Sequence, residues 1–372
     1  MTKTLRSSAA LLVLSMVLGL VSAGAASDPP ATGTAPSPAA PSLAAPSLAA
    51  PSLAAPSLAA LRLVSDEWPP FTDVEGKPRE ALDLVESALL RAGVRSAFSI
   101  MSWNKALERL EKGQLDGSAA IWKNAAREKY LLFSQPYLEN RLVLVARKGT
   151  KVSQSSLSEL VGQHLALTNG YAYGAELLQR AHLQRTFFDS DAECLRAVLK
   201  GQADYLLLDE LMVQHLFRAY PEKAQRLLVF GSTPLETHPL HLALRRDYPG
   251  AAQLIADFDR NIEGMMKDGT YNVLLHTPWI QKDVNGDGNL DYVASSKVSV
   301  GTGQDPAATH NGYPVFHPSQ RAAGMATRAP AYVIDGKSYN NWGDAATTLD
   351  YAGAKPPEGV YKYSTGFVLG SF

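Results

Sequence analysis

A single cysteine, Cys194, stands in 372 residues, so no disulfide can form within the chain. It lies in a helix-patterned run, and its expected role is that of a small buried hydrophobe. Neither sign of charge is in excess: 35 Lys and Arg face 36 Asp and Glu. A chain so balanced has no electrostatic reason to bind nucleic acid or an anionic membrane. The apolar run from Ala9 to Val21 is shorter than the ~20 residues a spanning helix needs. No cysteine follows it, which excludes a lipid anchor there. With Lys3 and Arg6 before it and Ala23, Ala25 and Ala26 after it, the run fits a secretory signal over residues 1–25. The expected location is the periplasm or the outside of the cell.

Residues 26–60 lack everything a core needs. Pro-Ser-Leu-Ala-Ala repeats four times from Pro41. Proline every fifth residue removes backbone donors and blocks a continuous helix. One leucine per repeat cannot build a packed interior, so this stretch is expected to be a spacer.

Apolar residues make up 46% of the chain, enough for a large core, and from Leu61 onward they fall into regular patterns. Leu61 to Val64 reads as a strand ending in Ser65-Asp66-Glu67-Trp68-Pro69-Pro70-Phe71. Ala81, Leu84, Val85 and Ala88 recur at helical spacing until Gly93, and Trp103, Ala106, Leu107 and Leu110 do so until Gly113. The chain then echoes itself. Lys112-Gly-Gln-Leu-Asp116 leads into the apolar strand Gly117 to Ile121, and Lys200-Gly-Gln-Ala-Asp204 leads into the apolar strand Tyr205 to Leu208. Continuous apolarity over four or five residues marks strands covered on both faces, as in parallel sheets. Two such units predict two lobes built alike. Ligands of such sheets sit beyond the carboxyl ends of the strands. Those ends carry Trp122, with Arg127 soon after, in one unit and Asp209 in the other. On the residues alone Asp209 also fits a helix N-cap.

The stretch Ile121 to Tyr137, IWKNAAREKYLLFSQPY, resembles the arginine-to-FS-x-PY core of family 3 extracellular solute-binding proteins. The closing KDGTYNVLLHTPW resembles that family's terminal segment, and the likeness covers about Leu61 to Trp279. The resemblance implies an α/β, two-lobed periplasmic-binding-protein fold of type II with an interlobe cleft, followed by a small β-rich extension. It places the domain at residues 61–280. Lobe one takes 61–146 and 236–280, and lobe two takes 147–235, with crossings near Arg141 to Lys148 and Leu228 to Thr233. It further implies that Arg127 grips a ligand carboxylate and Asp209 a ligand ammonium. Trp68 and Phe71 then form an aromatic wall, and Tyr171 and Ala172, in the turn of LALTNGYAYG, meet the ligand near a helix start. The exposed-turn reading of Tyr171 and Tyr173 stands beside this. One departure is plain. Five residues before the arginine the family has Ser or Thr, and here Trp122 fills that place as a further candidate contact. The solute is therefore expected to be smaller, flatter or other than an α-amino acid.

Beyond the domain, in residues 281–372, Asp283, Asn285, Asp287, Asn289 and Asp291 space themselves as a calcium loop, with Gly288 at the sharp turn. The twelfth position, where an EF-hand has glutamate, is Ala294. The loop therefore resembles FG-GAP-type and other D-x-N-x-D-G repeats, and a structural Ca2+ is expected. Tyr332-Val-Ile334 followed by Asp335-Gly336 predicts a strand and a hairpin turn. Taken together, the sequence predicts a monomeric binding protein with no catalytic residues. It would hand a small polar carboxylated solute to an ABC permease of the inner membrane. The alternatives are a sensory or surface-interaction module with a partner in that membrane, and a dehydratase of the prephenate type on the same scaffold.

Overall fold

The computed structural model describes residues 60–284, 289–298, 303–309, 312–315 and 329–349; the expected signal and spacer lie outside them. Strand β1 (Leu61–Ser65) is parallel to both β2 (Ser96–Ile100) and β3 (Gly117–Trp122). The helices α1 (Glu80–Arg91) and α2 (Trp103–Glu111) connect them. Residues Gly117 to Trp122 are buried throughout, as their unbroken apolarity requires. A short β4 (Leu131–Phe133) comes next, then the long β5 (Leu138–Arg147).

The second unit repeats the first. Strand β6 (His164–Thr168) is parallel to β7 (Gln184–Phe188) and β8 (Tyr205–Asp209), with α3 (Ala175–Gln179) and α4 (Asp191–Leu199) between them. The echoed Lys-Gly-Gln-x-Asp pieces do the same work in each. In both, glycine follows the helix end at positive φ, 70° at Gly113 and 76° at Gly201, where a Cβ would be strained. In both, the aspartate clamps the start of the central strand. Asp116 Oδ2 accepts from the Arg62 N–H at 2.8 Å, and Asp204 Oδ2 accepts from the His164 N–H at 2.9 Å.

Helices α5 (Glu210–Ala219) and α6 (Pro221–Leu227), then β9 (Leu228–Phe230) and the long β10 (Glu236–Arg245), complete the circuit. The sheet runs β2-β1-β3-β10-β5-β8-β6-β7, with β4 on β10 and β9 on β5. The two parallel blocks are thus joined by two long antiparallel strands, paired from Glu236↔Leu142 to Leu240↔Leu138. Leu228 to Thr233, expected as the second crossing, supplies only the short β9. The crossing itself is β10, which spans from the second block to the first. This is the two-lobed periplasmic-binding-protein fold. Helix α7 (Ala251–Lys267) packs back on α1, and α8 (Thr270–Leu274) follows.

A separate five-stranded sheet carries the extension: β11 (Ile280–Lys282), β12 (Asp291–Ala294), β13 (Tyr313–Pro314), β14 (Tyr332–Ile334) and β15 (Lys337–Tyr339). Two short helices, α9 (Pro306–Thr309) and α10 (Trp342–Ala346), accompany it. The expected Asp335-Gly336 turn joins β14 to β15 with φ of 46° and 83°, the two positive values a two-residue hairpin of that kind uses. Trp279, at the end of the family-like segment, is the centre of this sheet's aromatic cluster, against Tyr292, Tyr332 and Trp342. The extension is fastened to lobe one where Asn272 Nδ2 donates to the Val293 carbonyl at 2.9 Å, and to β5 where the buried Tyr313 hydroxyl donates to the Glu139 carbonyl.

Candidate functional site

The carboxyl ends of β1, β3, β6 and β8 converge on one crevice, and each delivers a residue there. Asp66 follows β1, Trp122 ends β3, Gly170 to Tyr173 follow β6, and Asp209 ends β8. Trp68, Trp122, Arg127, Tyr171 and Ala172 line one small cavity together with Asp66 and Trp103. Its volume is ≈ 20 Å³. That is about the space of a single water and far below that of any amino acid.

Side chains occupy the remaining space. Trp122 stacks on His238 of β10, ring centroids 4.2 Å apart and nearly coplanar. Its edge meets Tyr171 at 5.1 Å and Tyr173 at 6.0 Å from the other lobe, and Trp68 meets Tyr171 at 6.0 Å. All three interlobe pairs are close to edge-to-face, the arrangement ring quadrupoles favour at about 0.5–1.5 kcal/mol each beyond burial. Three of them together give about 1.5–4.5 kcal/mol, and every 1.4 kcal/mol is a factor of ten in population. These contacts stabilise the arrangement in which the two lobes meet.

Arg127 belongs to the same closure. A short 3-10 turn, Arg127–Lys129, sets it, with Asn124 Oδ1 accepting from the Arg127 N–H at 2.9 Å. Its guanidinium is buried over the Trp103 ring. Nη1 donates to the Trp122 carbonyl at 2.5 Å, and Nη2 donates to the Gly170 carbonyl of lobe two at 2.9 Å. The Trp103 indole donates to the same carbonyl at 3.1 Å. Burial pushes Arg127 down to about 10. Gly170 must be glycine here. Its φ is 77°, and a Cβ would meet Asn104 Oδ1 at 2.7 Å and Trp103 Cδ1 at 3.2 Å.

Asp209 and Phe71 do not line the cavity. Asp209 caps α5, with Oδ1 accepting from the Leu211 N–H at 2.7 Å and Oδ2 from the Arg141 N–H at 3.0 Å. Burial pushes it up to about 7, partly offset by the facing Asn140 amide and these N–H groups. That amide faces the carboxylate without full hydrogen-bond geometry, while Asn140 Oδ1 accepts from the Trp122 indole at 2.7 Å. Arg127 and Asp209 are thus connected through Trp122 and Asn140 and share no open hollow. Phe71 is wholly buried beneath Trp68, 4.4 Å between centroids.

Three contributors escape a reading of the sequence. Asp66 is part-buried as a residue, but its carboxylate is enclosed; burial and the facing Asp191 push it up to about 7. Its place directly after β1 is the available signal. Asp191 comes from the first turn of α4, where an acid reads as ordinary helix capping. Burial raises it to about 6, with Thr168, Tyr171 and the Trp68 indole across the cleft holding it lower than burial alone would. Gly170 looks like one more turn glycine, and nothing in its neighbours marks it as the lobe-two acceptor for two lobe-one donors. Cys194 is buried, and Thr168 Oγ1 lies 3.6 Å from its sulfur.

In the calcium-type loop, Asn285 and Asp287 lie outside the described residues. Asp283 and Asn289 flank them. Asp291 is buried, with its oxygens accepting from the Val284 and Ala331 N–H groups, each at 3.3 Å, so it ties the loop to the entry of β14. Among the described residues no group of three or more His, Cys, Asp or Glu gathers to hold a metal. Among them, too, no helix is long and apolar enough to cross a membrane.

Comparison with known proteins sets this geometry in context. A segment of 161 residues is 30% identical to the virulence sensor protein BvgS of Bordetella pertussis, covering 42% of this chain and 13% of that protein's length. The putative ABC transporter arginine-binding protein 2 of Escherichia coli (strain K12) is 22% identical over 226 residues, 58% of this chain and 88% of that one. A crystal structure of a mutant ArgBP from T. maritima superposes with a TM-score of 0.50 at 23% identity, covering 58% of this chain and 93% of that one; at that identity it speaks for the fold alone. By name these relatives are binding and sensor proteins. The model of bacterial extracellular solute-binding proteins, family 3, matches residues 62–282, and the chain belongs to that family.

Proposed function

We propose that this chain is an extracellular sensory or interaction module of the solute-binding family, resting with its lobes closed on its own side chains. The observation that carries this reading is the use made of Arg127. The guanidinium that would grip a solute carboxylate donates to one backbone carbonyl of each lobe. Trp122, standing where the family has a small hydroxyl residue, fills the adjoining space. A delivery protein must empty and refill its cleft, whereas a sensor needs only two states of unequal energy. The similarity to a sensor protein over part of its length supports the same reading. The partner is then a membrane protein that reads the angle between the lobes, and the compartment is the periplasm.

The importer reading keeps one specific support, the match along 88% of an arginine-binding protein. Titration calorimetry of the refolded protein with L-arginine and L-glutamate separates the two. The sensory reading expects no heat of binding from either, and mass spectrometry of the natively purified protein finds no released solute. It also expects Trp122→Ser, which restores the family's residue type, to create binding where there was none. Micromolar binding by the unaltered chain would return the importer reading to first place. For the extension we propose a weak structural Ca2+ site in the loop from Asp283 to Asp291, fastening the second sheet.

A further inference from the structure

Behind the crevice, where lobe one, β5, lobe two and the extension meet, lies a second pocket of ≈ 220 Å³. Glu210 and Arg218 of α5 line one side of it, Arg141 of β5 and His276 after α8 another, and Tyr313 of the extension a third. Tyr313 reaches past this pocket to the backbone of β5, one of the two strands that join the lobes.

Alternate residues of a strand aim their main-chain groups at the same edge. On one edge of β5, Arg141 gives its N–H to Asp209 Oδ2 of lobe two at 3.0 Å. Pairing with β8 begins at Leu142↔Asp209, so the same edge at Glu139 and Tyr137 lies beyond the end of β8. Side chains take over there. The Tyr313 hydroxyl donates to the Glu139 carbonyl, and the Tyr271 hydroxyl of α8 donates to the Tyr137 carbonyl at 2.6 Å. Lobe one, the extension and lobe two thus hold three successive groups of one edge in turn. Burial pushes the Glu139 carboxyl up to about 7, with Arg141 and Lys282 of β11 drawing it back, so the extension's charge acts on the same residue.

The peptide unit that Tyr313 holds runs from the Glu139 carbonyl to the Asn140 N–H. Asn140 is wholly buried, and its Oδ1 accepts from the indole of Trp122, the residue that fills the crevice. Rotation of the lobes has to turn the backbone of β5 between Tyr137, held by lobe one, and Leu142, paired with lobe two. Tyr313 fixes the middle of that stretch, and Asn272 ties the extension itself to lobe one.

We infer that the extension is a splint on the hinge: Tyr313 holds β5 in the form that keeps Asn140 on Trp122, so seating of the extension and closure of the crevice are one coupled equilibrium. Such coupling is reciprocal. Whatever lifts the extension loosens the lobes, and whatever opens the lobes loosens the extension. On the sensory reading, which this deepens, the extension is the element through which a membrane partner sets or reads the lobe angle.

Amide hydrogen exchange on the full chain tests this. Tyr313→Phe keeps the ring and leaves a buried carbonyl without its donor. Exchange should rise about five- to thirtyfold in peptides covering residues 138–142 and 236–240 and in the crevice turn 170–174, while helix α7 keeps its protection. Tyr332→Phe, which removes a hydroxyl bonded to Asp305 within the extension, should leave those peptides unchanged. In the other direction, Trp122→Ala should speed exchange in β11 and β12 more than in α7. Unchanged hinge peptides in Tyr313→Phe would overturn the proposal. So would equal loosening of α7, or a Trp122→Ala protein whose β11 and β12 loosen no more than α7. A refolded chain that stands open and closes on L-arginine would count against the self-held crevice; hinge peptides that still loosen in Tyr313→Phe would leave the splint standing.

Discussion

The crevice at the strand ends and the pocket behind it are opposites. The crevice has the family's motif and ≈ 20 Å³ of room; the rear pocket has no motif and ≈ 220 Å³. In the first, aromatic rings and a guanidinium satisfy one another across the lobes. In the second, polar groups from three parts of the molecule face a space they do not fill. A motif places a residue, but what that residue does depends on which neighbours have already claimed its donors. Arg127 shows this: two carbonyls hold it, whereas Arg218, in no motif, stays exposed to solvent.

Substitutions that damage one region and spare the other would sharpen the contrast. The largest effect is expected from Trp122→Ala. It removes a buried indole that makes a stack, two interlobe edge contacts and the bond to Asn140. Large-to-small changes of this kind cost about 3–5 kcal/mol, to be read from urea unfolding, with the lobes opening in solution scattering. Gly170→Ala comes next. A Cβ at φ 77°, meeting Asn104 and Trp103, should cost about 1–3 kcal/mol and lower the melting temperature. If both variants are as stable and as compact as the unaltered chain, the crevice is not self-held.

Acidity gives a third handle. Asp66 at about 7 and Asp191 at about 6 sit well above the ordinary carboxylate value of ~3.9, each chiefly through burial. Raised folded-state values mean stability that is full below pH ~4 and lost as pH climbs through the folded values. The closed form should therefore melt higher at pH 5.5 than at pH 8. His215, pushed down to about 4 by burial, works in the opposite sense, removing stability as pH falls below its ordinary value of ~6.5. Asp66→Asn isolates the acid's share, flattening the profile between pH 5 and 8 and raising the melting temperature at pH 8. An unchanged profile would mean that the Asp66 carboxylate is solvated.

The smallest effect belongs to calcium. A loop lacking its twelfth-position carboxylate should bind at about 1 mM. Calcium at about 2 mM then adds about 0.6 kcal/mol, visible as a slight rise in melting temperature that chelator reverses. Asp287→Asn should abolish that rise without touching the crevice.

Much of the fold is legible in the sequence because it rests on local rules. Unbroken apolarity marks β3 and β8, glycine stops mark the ends of α2 and α4, and Asp335-Gly336 marks the hairpin. The repeated Lys-Gly-Gln-x-Asp announces twin lobes because the same clamp is made twice. The crossing strand β10 is not legible because its first half, Glu236 to Pro239, is polar and has no strand pattern; it is extended because β5 pairs with it. The crevice residues are legible as members, since Trp68, Trp122, Arg127, Tyr171 and Ala172 do come together. Their mutual satisfaction is not, because it depends on Gly170, Asp66 and Asp191, whose partners lie far away in the chain.

Small-angle scattering on protein unfolded, freed of small molecules and refolded tests the central claim most directly. Self-held lobes predict a compact envelope in the absence of solute, unchanged by millimolar L-arginine, and expansion in Trp122→Ala. An open envelope that contracts when the amino acid is added would contradict them.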